Sequence, residues 1–293
     1  MNTKQDAPSA QARPVTAPDI RERKNGEKIC CLTAYDYPSG LIADRAGVDV
    51  VLVGDSLSMV VLGREDTLSV TVDEMVHHTR AAARGVKRAL LVADMPFMSY
   101  ATVDRALATA ARLMGEGGAR AVKLEGGLPV VPQIEALVAA GAPVMAHVGL
   151  TPQHVAKFGG FKAQGRSADA AKALIEDAQA VEAAGAFSVV IEAVPVEVAQ
   201  LITDAVDIPT IGIGAGNVTD GQILVFHDVL GLFDRFTPKF VRRYAELGEA
   251  STDAIVRYRD DVRRTLFPAD KNTFFMPEDQ VDQVRKIKIK KKK

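Results

Sequence analysis

From about residue 26 to residue 232, short apolar runs alternate with longer Ala-rich stretches whose apolar positions recur at helical spacing. The runs at 28–34, 49–53, 89–93, 119–124, 143–147, 187–191 and 209–213 read as strands, with a weaker eighth at 228–232. Helix patterns lie between them at 71–86, 102–115, 131–140, 168–184 and 196–206. Most of the strand runs are nearly continuous apolar sequence, as expected of parallel strands covered on both faces. Helices end in small-residue turns such as Gly117-Gly118-Ala119, Gly141-Ala142-Pro143 and Gly185-Ala186, where glycine takes the left-handed cap without a Cβ penalty. About eight β–α units in one uninterrupted body favour a (β/α)8 TIM barrel over an open doubly wound sheet. Residues 1–25 read as a polar N-terminal arm that frays, 26–267 as one catalytic barrel domain and 268–293 as a flexible, basic C-terminal tail. Within that division, 238–267 reads as helix, with Ile255, Val256, Val262 and Leu266 at helical spacing.

Composition narrows the function classes. The 293 residues are ample for a sizeable core. The net charge is −1, but Arg285 to Lys293 carry seven positive charges and no acid, so the remainder carries −8. Such a body is a poor partner for nucleic acid. No apolar run approaches the roughly 18 residues of a membrane helix, and the polar start lacks the apolar stretch of a signal peptide. Cys30 and Cys31 are adjacent, with Cα atoms about 3.8 Å apart, too close for an ordinary disulfide. Two reduced thiols in a cytoplasmic protein are expected.

In a barrel, chemistry collects at the carboxyl ends of the strands. Five consecutive ends carry ionisable groups: Asp55 after the second, Asp94 after the third, Lys123 and Glu125 on the fourth, His147 on the fifth and Glu192 on the sixth. Asp55 and Asp94 follow their apolar runs by what reads as the same offset, so both are expected to enter the mouth at similar height. Two carboxylates held close need a proton or a cation between them, and a hard divalent ion suits them. Each could instead cap the following helix. Lys123 and Glu125 are two apart, so they share a face, the interior one if Val122 and Leu124 pack outward. They are either a structural ion pair, or a substrate contact beside a metal-site acid. His147 is either a satisfied core histidine or a substrate contact. Glu192 closes an almost wholly apolar strand, where a raised pKa would suit a general base; the other reading is a cap beside Pro195. Gly212-Ile-Gly-Ala-Gly216 is followed by Asn217 and lacks the context of a dinucleotide loop, so it reads as a tight turn near the ligand. No G-x-S-x-G elbow supports nucleophilic catalysis. Spacing alone leads to metal-dependent enolate chemistry on a 2-oxo acid, with Glu192 as base.

The segments Thr33-Ala-Tyr-Asp-Tyr37, Val53-Gly-Asp-Ser-Leu57, Ala93-Asp-Met-Pro-Phe97, Val122-Lys-Leu-Glu-Gly-Gly127 and His147-Val-Gly-Leu-Thr-Pro152 occur in the order seen in the ketopantoate hydroxymethyltransferase family. Phe158-Gly-Gly-Phe-Lys162, Gln164-Gly-Arg166, Ile213-Gly-Ala-Gly-Asn-Val-Thr-Asp-Gly-Gln222 and Thr237-Pro-Lys-Phe240 extend the resemblance across nearly the whole body. It implies a barrel of the phosphoenolpyruvate mutase/isocitrate lyase-like type. The implied reaction transfers a hydroxymethyl group from 5,10-methylenetetrahydrofolate to 3-methyl-2-oxobutanoate, giving 2-dehydropantoate in pantothenate biosynthesis. Carried over by motif, Asp55 and Asp94 resemble the direct Mg²⁺ ligands, one ion per subunit, and Glu125 the third metal-site acid. Ser56 and Lys123, with both aspartates, resemble contacts to the oxo acid, and His147 takes a position near it. Glu192 corresponds to the proton acceptor. A homo-oligomer, a decamer in the family, is implied, with small-molecule substrates and no nucleic-acid or membrane partner. Ser58 replaces a usual glycine, so the loop after Asp55 is strained if that position needs positive φ. The His-containing ending expected after Phe267 is absent. The rival readings are a C–C lyase of the isocitrate lyase/phosphoenolpyruvate mutase type and a non-catalytic metal-binding barrel.

Overall fold

The structure, a computed structural model, describes residues 13–158, 160 and 162–287. Residues 1–12 of the expected arm, Gly159 and Phe161 of the Phe158 to Lys162 motif, and 288–293 of the lysine-rich end lie outside the described residues. Eight parallel strands close in sequence order into a barrel. They are β1 (Ile29–Thr33), β2 (Val50–Val53), β3 (Leu90–Asp94), β4 (Ala121–Glu125), β5 (Val144–Gly149), β6 (Ser188–Glu192), β7 (Thr210–Ile213) and β8 (Gly221–Leu224). The helices preceding β4 are α1 (Ala17–Arg21), α2 (Tyr37–Arg45), α3 (Leu57–Val60), α4 (Val72–Gly85) and α5 (Val103–Gly115). After β4 come α6 (Val131–Ala139), α7 (Val155–Phe158), α8 (Ala168–Ala183), α9 (Val196–Ala205) and α10 (Phe226–Val229). Seven strands fall where the apolar runs put them. The eighth does not: β8 is Gly221–Leu224, and Asp228 lies in α10. Its sequence, Gly-Gln-Ile-Leu, is too short and mixed to stand out, yet Ile29–Leu32 of β1 pair with it along its length.

The strands read as continuous apolar runs because alternate residues serve two cores. Val50, Leu52, Leu90, Val92, Met145, Val190 and Ile211 pack together inside the barrel. Val51, Val53, Leu91, Val122, Leu124, Val189 and Ile191 face the helices. This two-residue alternation determines which ionisable residues enter the mouth.

The N-terminal segment departs from the sequence expectation. Residues 13–25 are ordered by α1, whose N-terminus is a capping box between Thr16 and Asp19. Val15, Ala17 and fully buried Ile20 join the inner core. Arg23 pairs with Asp49 at 2.8 Å, and Lys24 with Asp220 at 3.1 Å, just before β2 and β8. The polar composition hides three inward apolar residues and two cations with waiting acids. Helix α2 is not among the helix patterns read from the sequence. Asp36 caps it through Ser39, with Pro38 in the first turn. Gly40 is there because α4 passes so close that a Cβ would lie 2.8 Å from the Ala82 carbonyl oxygen.

The chain divides into two compact units, Met1–Ala245 and Glu246–Lys293. The second unit contains α11 (Leu247–Arg263) and α12 (Glu278–Arg285), so the expected tail includes a helix. Neither helix buries a residue. Among the described residues no helix is long and apolar enough to cross a membrane. Cys30 and Cys31 are both unpaired.

Candidate active site

The carboxyl end of the barrel opens into a cavity of about 1060 Å³. Its lining includes Asp55, Ser56, Asp94, Lys123, Glu125, His147 and Glu192, every residue the sequence singled out. Parity explains the convergence. Asp94 follows the inward Leu90 and Val92, Lys123 and Glu125 follow Ala121, His147 follows Met145, and Glu192 follows Val190. Strand register then makes them neighbours: Asp94 is opposite Lys123 and Glu125 opposite His147.

Side-chain contacts follow from that register. Lys123 Nζ lies 2.5 Å from Asp94 Oδ1 and 4.0 Å from Glu125 Oε1. His147 stands between two carboxylates, with Nδ1 3.4 Å from Glu125 Oε1 and Nε2 3.2 Å from Glu192 Oε2. These are ion-pair contacts, not aligned hydrogen bonds. Asp55 and Asp94 do meet, but not at equal offset. Asp94 is the last residue of β3, whereas Asp55 lies two residues past β2, and its backbone N–H donates to Asp94 Oδ2 at 3.1 Å. Gly54 allows this turn, since a Cβ there would lie 2.9 Å from Ser56 Oγ. Ser56 Oγ is 2.9 Å from the Tyr35 hydroxyl oxygen. Ser58 is buried in the helical turn α3 and is not among the residues with positive φ, so the strain anticipated there is absent. Left-handed backbone occurs instead at Ala193, φ +49°, immediately after Glu192. Such a conformation costs a non-glycine residue about 1–3 kcal/mol, and here it turns the chain away directly behind that carboxylate.

The electrostatics are those of a crowded acidic floor. Burial pushes the Asp55 carboxyl well above its ordinary value, and Asp94 and Glu125 push it further. Burial also raises Asp94, against the pull of Lys123. Burial opposes the charge on Lys123, yet Asp94, Glu125 and Asp55 outweigh it and hold the ammonium above the ordinary lysine range. For Glu125 burial is likewise overcome, by His147, Lys123 and the Gln153 N–H, which hold it low. Burial and Lys123 work against a charged His147, but Glu125 and Glu192 push it up to about 9. Glu192 therefore has an ionic neighbour, which the apolar sequence of its strand does not reveal. Asp55, Asp94, Glu125 and Glu192 exceed the cations Lys123 and His147 by two. Among the described residues, no three His, Cys, Asp or Glu side chains stand in a ready-made metal-holding group.

Two buried residues bonded to this floor from behind escape sequence reasoning. Gln153 Nε2 donates to Asp55 Oδ2 and to the Met95 carbonyl oxygen, each at 2.9 Å. The Tyr100 hydroxyl donates to Gln153 Oε1 at 2.6 Å. Both are neutral, so charge patterning passes over them. The available signal was Thr151-Pro152, which opens the 3-10 turn Pro152–His154 directly after β5. Farther out the cavity is apolar, with Val196, Phe233, Phe236 and Phe240 on its wall.

Comparison with known proteins agrees with this geometry. The family model described as ketopantoate hydroxymethyltransferase matches residues 14–270. A 3-methyl-2-oxobutanoate hydroxymethyltransferase of Oleidesulfovibrio alaskensis is 61% identical, covering 92% of this chain and 94% of that protein. One from Syntrophobacter fumaroxidans is 55% identical, covering 94% and 99%. Among solved structures, a phosphonopyruvate hydrolase complexed with oxalate and Mg²⁺ aligns with a TM-score of 0.58 at 14% identity, covering 92% of this chain and 95% of that one. A 2,3-dimethylmalate lyase of the PEP mutase/isocitrate lyase superfamily aligns at 0.56 and 16% identity, covering 92% and 96%. At such identity the structural likeness speaks to the fold alone, a closed barrel of eight parallel strands.

Proposed function

The chain belongs to the ketopantoate hydroxymethyltransferase family, and from that premise we propose that it moves a hydroxymethyl group from 5,10-methylenetetrahydrofolate to 3-methyl-2-oxobutanoate, giving 2-dehydropantoate. The observation that carries this reading is one cavity holding a carboxylate base, Glu192, with Lys123 and the Asp55–Asp94 pair. The cavity is at the upper end of the usual ~300–1,000 Å³ for ligand sites, which leaves room for a small oxo acid and a larger second substrate.

Net charge and donor type support a hard divalent cation, Mg²⁺, at Asp55 and Asp94, with Glu125 behind them. The donors are all oxygens, the floor holds two more acids than cations, and among the described residues Asp55 has no ion-pair partner. When bound, such an ion polarises the carboxylate and keto oxygen of an oxo acid and stabilises negative charge developing there. The neighbour's oxalate and Mg²⁺ accord with this choice of ligand chemistry.

The chain's own residues do the rest. Lys123 has three N–H donors; one is spent on Asp94, leaving others to turn toward the substrate. Glu192 takes the proton from C3, and the C–H electrons become the enolate. C3 then bonds to the methylene carbon of the folate and water supplies the hydroxyl; both carbon–nitrogen bonds of that carbon break, and the proton taken from C3 and the one released by the water end on the two folate nitrogens, giving tetrahydrofolate. His147 orients Glu192 from one side while Ala193 turns the backbone on the other. Ser56, fixed by Tyr35, offers the oxo acid a hydroxyl. The unpaired Cys30 and Cys31 accord with the reducing cytoplasm as the place of this reaction.

The full chain incubated with both substrates and Mg²⁺ is expected to form 2-dehydropantoate and tetrahydrofolate in equal amounts, measured by mass spectrometry. Cleavage of a C–C bond in a 2-hydroxy diacid, with no folate-dependent product, would replace this reading with the lyase one. No turnover of either kind would favour a binding barrel.

A further inference from the structure

Gln153 lies behind the cavity lining and bonds to two of its acids. It is 2% exposed. Its side-chain N–H₂ donates to Asp55 Oδ2 at 2.9 Å, and its backbone N–H donates to Glu125 Oε2 at 3.0 Å. One residue thus grips two carboxylates that come from different strands. The 3-10 turn Pro152–His154 makes this possible by aiming backbone and side chain of its middle residue into the barrel.

The amide has one sensible orientation. Nε2 faces two acceptors, Asp55 Oδ2 and the Met95 carbonyl oxygen, while Oε1 accepts the Tyr100 hydroxyl at 2.6 Å. A flipped amide would set its oxygen against both acceptors. The Tyr100 hydroxyl also lies 3.2 Å from the Glu125 backbone carbonyl oxygen, a second acceptor on the same side. Tyr100 therefore locks Gln153, and Gln153 holds one oxygen of Asp55 while, among the described residues, no hydrogen bond claims the other.

We propose that Gln153 is a positioning residue: through its amide and backbone N–H it sets the orientation of the Asp55 and Glu125 carboxylates toward a divalent cation, and Tyr100 fixes the amide. This rests on the reading that Asp55 and Asp94 hold that cation. The amide does not touch the cation or the substrate; it determines which carboxylate oxygen is free to do so. Groups in this relation to a metal ligand characteristically cost about 10–100-fold in metal affinity when removed.

The test is Mn²⁺ binding by the full chain, followed by electron paramagnetic resonance of the free ion and corrected for the folded fraction from circular dichroism. Gln153→Met, similar in length and without donors, is expected to weaken Mn²⁺ about 10–100-fold. Tyr100→Phe keeps the ring and frees the amide, so an intermediate loss is expected with an unchanged fold. Asp55→Asn, which alters a proposed ligand directly, should lose the most. A purely structural role for Gln153 predicts a lower melting temperature with parental Mn²⁺ affinity in the folded protein. That result, in both Gln153→Met and Tyr100→Phe, would overturn the proposal while leaving the cation reading intact. If the parent chain does not bind Mn²⁺, the cation reading fails, and this role fails with it.

Discussion

Replacing Glu192 by Gln is expected to slow exchange of the C3 proton of 3-methyl-2-oxobutanoate by about 100–10,000-fold, the range attributable to a positioned general base. The amide matches the carboxylate in size and can remain beside His147 Nε2, which lies 3.2 Å from Glu192 Oε2. It cannot accept the proton. Because Glu192 contributes to proton removal more than to holding the substrate, the loss should fall on kcat, with KM for the oxo acid changing little. Deuterium incorporation from D₂O, followed by NMR at several substrate concentrations, separates the two. Exchange at the parental rate would remove Glu192 from its role and direct attention to His147, which lies against it in the same cavity.

A second large effect is expected from Lys123→Met. The ammonium and Asp94 are both nearly inaccessible to solvent, and they sit 2.5 Å apart. Two charges buried together need not stabilise a protein relative to an apolar pair, but removing one leaves the other without compensation. Asp94 would then face Asp55 and Glu125 with no cation between them. Loss of about 3–5 kcal/mol in unfolding free energy is expected without added divalent ion, from urea titrations of variant and parent. Turnover should fall as well, since the same ammonium is a donor available to the developing negative charge on the substrate; removal of one such donor typically costs about 100–1,000-fold. Unchanged stability would mean that Asp94 is compensated by something other than Lys123.

Much of the barrel could be read from the chain because parallel strands and their cap turns leave strong local marks. Lys123 and Glu125 were placed correctly by spacing alone: two apart on a strand means one face, and the apolar Val122 and Leu124 between and beside them take the other. The mutual position of Asp55 and Asp94 was less legible. Strand β2 ends at Val53, and Asp55 reaches its neighbour through the turn at Gly54, so a count from the apolar run does not give its height. The sequence likewise concealed that Glu192 has an imidazole against it, because that contact comes from β5, two strand residues off register. Gln153 and Tyr100 were missed for a different reason. Neutral hydrogen-bonding groups acquire meaning only from partners that folding supplies. The same holds for Ile20, whose isolation in a polar stretch gives no hint that it plugs the barrel's far end.

The most direct measurement is C3-proton exchange of 3-methyl-2-oxobutanoate in D₂O without folate, run on the parent chain before and after chelation and on Asp55→Asn. Exchange should vanish with chelator, return when Mg²⁺ is restored, and stay near background in the variant. Exchange that persists undiminished in chelated protein or in Asp55→Asn would contradict a cation-assisted carbon acid at the Asp55–Asp94 pair.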